Sequence, residues 1–164
     1  MYQPGGLISG QEQQHVLVVE DDAHVRQALA LLLRVAGYTV DEAHDGGPAL
    51  QRLRESLGEA GERHERLVVL VDWWMPGMNG RQLLEAVAAD EVLATRHAYI
   101  LMTAYVRRFS PDFAAFLQRM HVSVIAKPFG LDTLLYAVVQ ATARLAQCPP
   151  CQGNPPCHND SPSE

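Results

Sequence analysis

Polar residues gather where the short apolar runs of this chain end, and their types suit one kind of chemistry. Glu20, Asp21 and Asp22 follow Val16 to Val19, Asp72 follows Leu67 to Val71, Thr103 follows Ala98 to Met102, and Lys127 follows Val122 to Ala126. A helix cap at this point needs one acid, and Asp22 can supply it. Three acids in succession facing a fourth would repel unless a cation sat between them. An all-oxygen set with no His or Cys beside it favours a hard ion, and Mg²⁺ takes one or two carboxylates while keeping sites for water and phosphate. Asp72, ending a wholly apolar strand, is badly solvated unless a metal or donor compensates it. Carboxylates there can act as nucleophiles toward phosphoryl groups. Of the 13 lysines and arginines, Lys127 is the only lysine. A compact ammonium on a flexible stem reaches a shared oxygen where a planar guanidinium does not fit. The plainer alternatives are a turn residue at Asp72 before Met75-Pro76-Gly77, an ordinary strand threonine at Thr103 and a solvated Lys127.

These residues converge only if the elements carrying them lie side by side. Short apolar runs alternate with segments of helical apolar spacing, which predicts βα units and a parallel sheet covered by helices. The first strand is Val16 to Val19, followed by a helix with Val25, Leu29, Leu32 and Ala36 on one face, the apolar stripe, and Gly37 at its end. The second strand is Tyr38 to Ala43, and Gly46-Gly47-Pro48 opens a helix bearing Leu50, Leu53 and Leu57. A polar loop from Gly58 to Glu65 leads to Leu67 to Val71, the strand most suited to burial on both faces. Asn79 and Gln82 stand in capping-box positions for a third helix. Strand Ala98 to Met102, helix Ser110 to Met120, strand Val122 to Ala126 and helix Leu131 to Leu145 complete five strands and five helices. The binding crevice of such a sheet lies beyond the carboxyl ends of its strands.

A length of 164 residues, 48% of them hydrophobic, fits one domain, expected over 15–147 between flexible ends at 1–14 and 148–164. The formal charge of −6 argues against general nucleic-acid binding. No apolar run approaches the length of a membrane span, and the amino-terminal residues do not read as a secretory signal, so the expected location is cytoplasmic. Cys148, Cys151, Cys157 and His158 are the residue types of a structural zinc site, but their spacing is poor and a flexible tail with free thiols is the better reading.

Taken together, HVLVVEDDAHVRQALALLLRVAGYTV, VLVDWWMPGMNG, ILMTA and IAKPF, in this order and spacing, resemble the receiver domain of two-component response regulators, here of the stand-alone, single-domain kind. The resemblance implies a flavodoxin-like α/β fold with strand order 2-1-3-4-5. It implies Asp72 as phosphoacceptor, with Asp21, Asp72 and the backbone carbonyl of Trp74 as Mg²⁺ ligands, Glu20 acting through water, and Thr103 and Lys127 holding phosphoryl oxygens. It further implies a cis Lys127-Pro128 bond. A sensor histidine kinase or histidine phosphotransfer protein would supply the phosphoryl group, and the domain would catalyse its own phosphorylation and dephosphorylation. A downstream protein target would be met through the fourth helix, fifth strand and fifth helix, with room for a homodimer. Two departures carry weight: Val124 replaces the aromatic residue three before the active-site lysine, and bulky Trp74 and Tyr105 stand two after Asp72 and Thr103. The alternatives are a pseudo-receiver scaffold that works without phosphorylation and a Mg²⁺-dependent phosphohydrolase with an aspartate nucleophile. The second generally needs an acid where this chain has Trp74.

Overall fold

The computed structural model describes residues 14–58 and 65–147. The expected amino-terminal arm up to residue 13, most of the Gly58 to Glu65 loop and the cysteine tail lie outside the described residues. Five strands, β1 (His15–Val19), β2 (Thr39–Ala43), β3 (Leu67–Asp72), β4 (Ala98–Thr103) and β5 (Ser123–Ala126), form one parallel sheet in the order β2-β1-β3-β4-β5. Among the described residues six α-helices accompany the strands: α1 (Ala23–Val35), α2 (Gly46–Glu55), α3 (Gly80–Ala88), α4 (Glu91–Arg96), α5 (Pro111–Arg119) and, after β5, α6 (Leu131–Gln147). The expected strand order and single-domain architecture are observed. The fourth and fifth helices expected from the sequence are α5 and α6.

Alternation along the strands divides the core into two layers, because successive side chains leave opposite faces of a strand. Leu17, Val19, Val69, Val71, Tyr99 and Leu101 pack with α2, α3 and α5. Val16, Val18, Val68, Leu70, Ile100 and Met102 pack with α1 and α6. Every residue of β3 is buried, since this strand pairs with β1 on one side and β4 on the other.

Two expectations need correction. Helix α4 was not expected; it is six residues long, too short to show a period, and it forms because the Asp90 carboxylate accepts from the Val92 and Leu93 amides. In α1 the buried residues are Leu29, Ala30 and Leu33, whereas Val25 and Leu32 are 40% and 39% exposed and Ala36 is exposed. The sequence from Ala28 to Leu33 is apolar at every position, so several stripes satisfy helical periodicity and the sheet selects one. The expected caps at Asp22 and Asn79 are present, the latter as a full capping box with Gln82.

A buried polar link ties α2 to the start of β3 and β4. The Leu67 amide donates to His97 Nδ1 at 3.1 Å, and Ser56 Oγ, which donates to the Leu53 carbonyl, lies 3.2 Å from His97 Nε2. Because Nδ1 accepts, the ring proton sits on Nε2 and the imidazole is neutral. Burial is the main cause that brings the His97 pKa down to about 4, with nearby arginines adding to it. Above pH 6.5 the full stabilisation is present, and it is lost as the pH falls toward 4, where the unfolded chain takes up a proton that the folded one refuses. The loss should total about 3 kcal/mol. Urea denaturation across this range and an NMR titration of His97 check it; titration near pH 6.5 would refute the prediction.

Candidate functional site

The carboxyl ends of β1, β3 and β4 and the residue after β5 meet at one edge of the sheet. Glu20 follows β1 directly, and its amide donates to the Ala43 carbonyl of β2 at 3.1 Å, which turns the chain into the acidic segment. Glu20 is 3% exposed and Asp72 6%, while Asp21 is exposed. One carboxylate oxygen from each of Glu20, Asp21 and Asp72 lies within 4.8 Å of the other two. Lys127 Nζ bridges two of them, donating to Asp72 Oδ1 at 2.7 Å and to Glu20 Oε2 at 2.9 Å. Its backbone amide donates to the Thr103 carbonyl at 2.8 Å. Thr103 is buried, and its hydroxyl oxygen accepts from the Tyr105 amide at 3.0 Å. The Lys127-Pro128 bond is cis, as expected.

The electrostatics of this edge are those of an anionic pocket short of positive charge. Burial raises the pKa of Asp72 and Glu20, and their carboxylate neighbours add to that, although Lys127 opposes it in both. Burial alone would depress the Lys127 ammonium, but its hydrogen bonds and charge contacts with Asp72 and Glu20 outweigh burial and hold its pKa above the ordinary value. Three acids against one lysine leave two negative charges, which one divalent cation offsets. The donors are all oxygens and close enough to share an ion, so the residues fit Mg²⁺.

Trp74 lies two residues beyond Asp72 and is 62% exposed, and Tyr105 meets its ring edge-on with ring centroids 6.5 Å apart. The Arg108 guanidinium lies over the Tyr105 ring, 5.2 Å from its centroid. Glu20, Asp21, Asp72 and Lys127, expected at one edge, do lie together there, and the rings of Trp74 and Tyr105, each expected to border a phosphoryl group, lie against each other.

Other supporting residues escaped it. Arg26, one turn into α1, donates from Nη1 to the Glu20 carbonyl at 2.8 Å and to the Asp21 carbonyl at 3.2 Å, which holds the acidic turn by its backbone. Its position one helical turn beyond the acids was the only sequence clue. Trp73, next to the expected phosphoacceptor, packs 5.1 Å from both Phe109 and Phe113 and so joins the β3–α3 loop to α5. Val124 packs against the same core layer.

Comparison with known proteins agrees with this geometry. A family model described as the response regulator receiver domain matches residues 16–139. The chain is 39% identical over 121 residues to the chemotaxis protein CheY of Pseudomonas aeruginosa, covering 73% of this chain and 88% of that one. It is 33% identical over 138 residues to the alkaline phosphatase synthesis transcriptional regulatory protein SphR of Synechococcus elongatus, covering 84% of this chain but spanning only 51% of SphR. Among solved structures, a CheY-like response regulator receiver domain protein from Methanospirillum hungatei superposes with a TM-score of 0.61 at 29% identity, covering 82% of this chain and 96% of the other. Among the described residues, no helix is long and apolar enough to cross a membrane.

Proposed function

Because the chain belongs to the response regulator receiver domain family of two-component systems, we propose that it accepts a phosphoryl group on Asp72 from a phosphohistidine of a sensor kinase or phosphotransfer protein. The observation that supports this most is the bridge from Lys127 Nζ to Asp72 and Glu20, with Asp21 alongside. An Asp72 carboxylate oxygen attacks phosphorus, the new P–O bond forms as the P–N bond breaks, and the partner's imidazole leaves. Phosphoryl transfer demands placement and charge compensation more than covalent chemistry. Asp21, Asp72 and the Trp74 carbonyl would hold Mg²⁺ directly, with Glu20 acting through water. When bound, the ion offsets charge on the transferring group. Lys127 moves from a carboxylate partner to a phosphoryl oxygen, and the Thr103 hydroxyl donates to another. Output passes to a downstream protein through α5, β5 and α6, the elements that follow Thr103 and Lys127 in the chain.

Incubation with a small acyl phosphate and Mg²⁺, followed by intact mass, tests this reading. One stable adduct supports the switch, no adduct supports a phosphorylation-independent scaffold, and repeated turnover without an adduct supports a hydrolase. Trp74 and Tyr105 would hinder the water that hydrolyses the aspartyl phosphate. Trp74→Asn is expected to shorten the phosphorylated lifetime severalfold, measured by loss of the adduct after donor removal; an unchanged lifetime would dismiss the shielding role.

A further inference from the structure

The β3–α3 loop, residues 73–79, has to present the Trp74 carbonyl beside the Asp72 carboxylate, and both ends of the loop are anchored by backbone hydrogen bonds. At the near end the Trp73 amide donates to the Met102 carbonyl at 2.9 Å, and the Gly80 amide donates to the Trp73 carbonyl at 3.2 Å. At the far end the Met78 carbonyl accepts from the amide of Gly46, the first residue of α2, at 2.9 Å. Gly46 is buried, and no side chain fits on it. A Cβ there would stand 2.6 Å from Met78 Cγ, 2.8 Å from the Met78 carbonyl oxygen and 2.9 Å from Met78 Sδ. Asp45 lies at the same junction. Its Oδ1 accepts from the Gly47 amide at 2.6 Å, capping α2, while its Oδ2 lies 3.5 Å from the Cβ position of Gly77, a loop residue with φ +77°.

We propose that the start of α2, through Gly46, is a positioning element for the divalent cation, stapling the β3–α3 loop so that the Trp74 carbonyl stays in reach of the ion. The inference rests on the assignment of Mg²⁺ to Glu20, Asp21, Asp72 and Trp74 made above. The three atoms nearest a Cβ on Gly46 all belong to Met78, so its influence travels through the loop backbone. A methyl group at this position cannot be accommodated by a side-chain rotation alone, because one of its close contacts is a carbonyl oxygen. Met78 must shift, and the loop shifts with it.

The test is equilibrium Mg²⁺ binding by the unphosphorylated protein, followed through tryptophan fluorescence, since Trp73 and Trp74 flank the site. Gly46→Ala is expected to weaken Mg²⁺ affinity about tenfold, the lower end of what loss of an outer support costs a metal site. Saturating Mg²⁺ should still permit labelling of Asp72, because the chemistry is intact. Met78→Ala in the Gly46→Ala background removes two of the three close contacts and should restore part of the affinity. A core variant in the opposite layer, Val138→Ala, should lower thermal stability while keeping the parental affinity, which separates positioning from general loosening. Unchanged Mg²⁺ affinity in folded Gly46→Ala protein would overturn the proposal. Should that variant fail to fold, Asp45→Ala decides, weakened binding supporting the staple and parental binding refuting it. Failure of the parent protein to bind Mg²⁺ is a different result, which sinks the metal assignment itself.

Discussion

Asp72→Asn protein incubated with an acyl phosphate and Mg²⁺ is expected to gain no phosphoryl adduct under conditions that label the parent. The amide keeps an oxygen able to accept from Lys127 Nζ, which lies 2.7 Å from Asp72 Oδ1, but it offers no anionic nucleophile. A second consequence has the opposite sign. Burial raises the Asp72 pKa in the folded chain, so the ionised group costs the fold stability, a cost that grows as the pH rises from the unfolded value through the folded one. An uncharged Asn avoids it. Thermal unfolding in a chelator should therefore occur at a higher temperature for Asp72→Asn than for the parent, while added Mg²⁺ should stabilise the parent more than the variant. Labelling of Asp72→Asn at the parental rate would place the acceptor elsewhere and end the reading.

Lys127→Met is expected to separate metal binding from phosphoryl transfer. Removing one preorganised donor to developing anionic charge costs about 10²–10³-fold in rate, so labelling of Asp72 should slow on that scale. Mg²⁺ should bind more tightly, because Lys127 Nζ occupies Asp72 Oδ1 and Glu20 Oε2 and its charge repels the ion. Between a dication and an ammonium about 4 Å apart that repulsion is about 2 kcal/mol even at the dielectric of water, so the affinity should rise at least about tenfold. Lys127→Arg should recover little of the rate, since a planar guanidinium cannot make the compact bridge. Parallel kinetic and fluorescence titrations check both signs; a drop in Mg²⁺ affinity together with an unchanged rate would show that Lys127 serves only to balance the acids in the resting fold.

The legible part of the site was the part written at strand ends. Asp72 closes an unbroken apolar run, Lys127 is the chain's one lysine, and Glu20 to Asp22 sit where a strand must give way to a helix. Each of these signals is local, and the motif order supplied the strand order that joins them. Arg26, Gly46 and Trp73 were not legible as members of the site. Arginine on a helix, glycine at a helix start and an aromatic residue after a strand have many ordinary uses, and what distinguishes them here is a contact with a distant segment.

By itself the amino-acid sequence determined the alternation of strands and helices, the burial of β3, the caps at Asp22 and Asn79, and the set of groups delivered to one edge. Periodicity, turn chemistry and residue type settle those within a few neighbouring positions. Tertiary structure alone decided which stripe of α1 turns inward, that Met78 and Gly46 lock two loops together, and that Trp73 lies against Phe109 and Phe113. Those choices depend on how parallel crossovers stack distant segments on the sheet, and each is a competition between local arrangements of similar energy that long-range packing resolves.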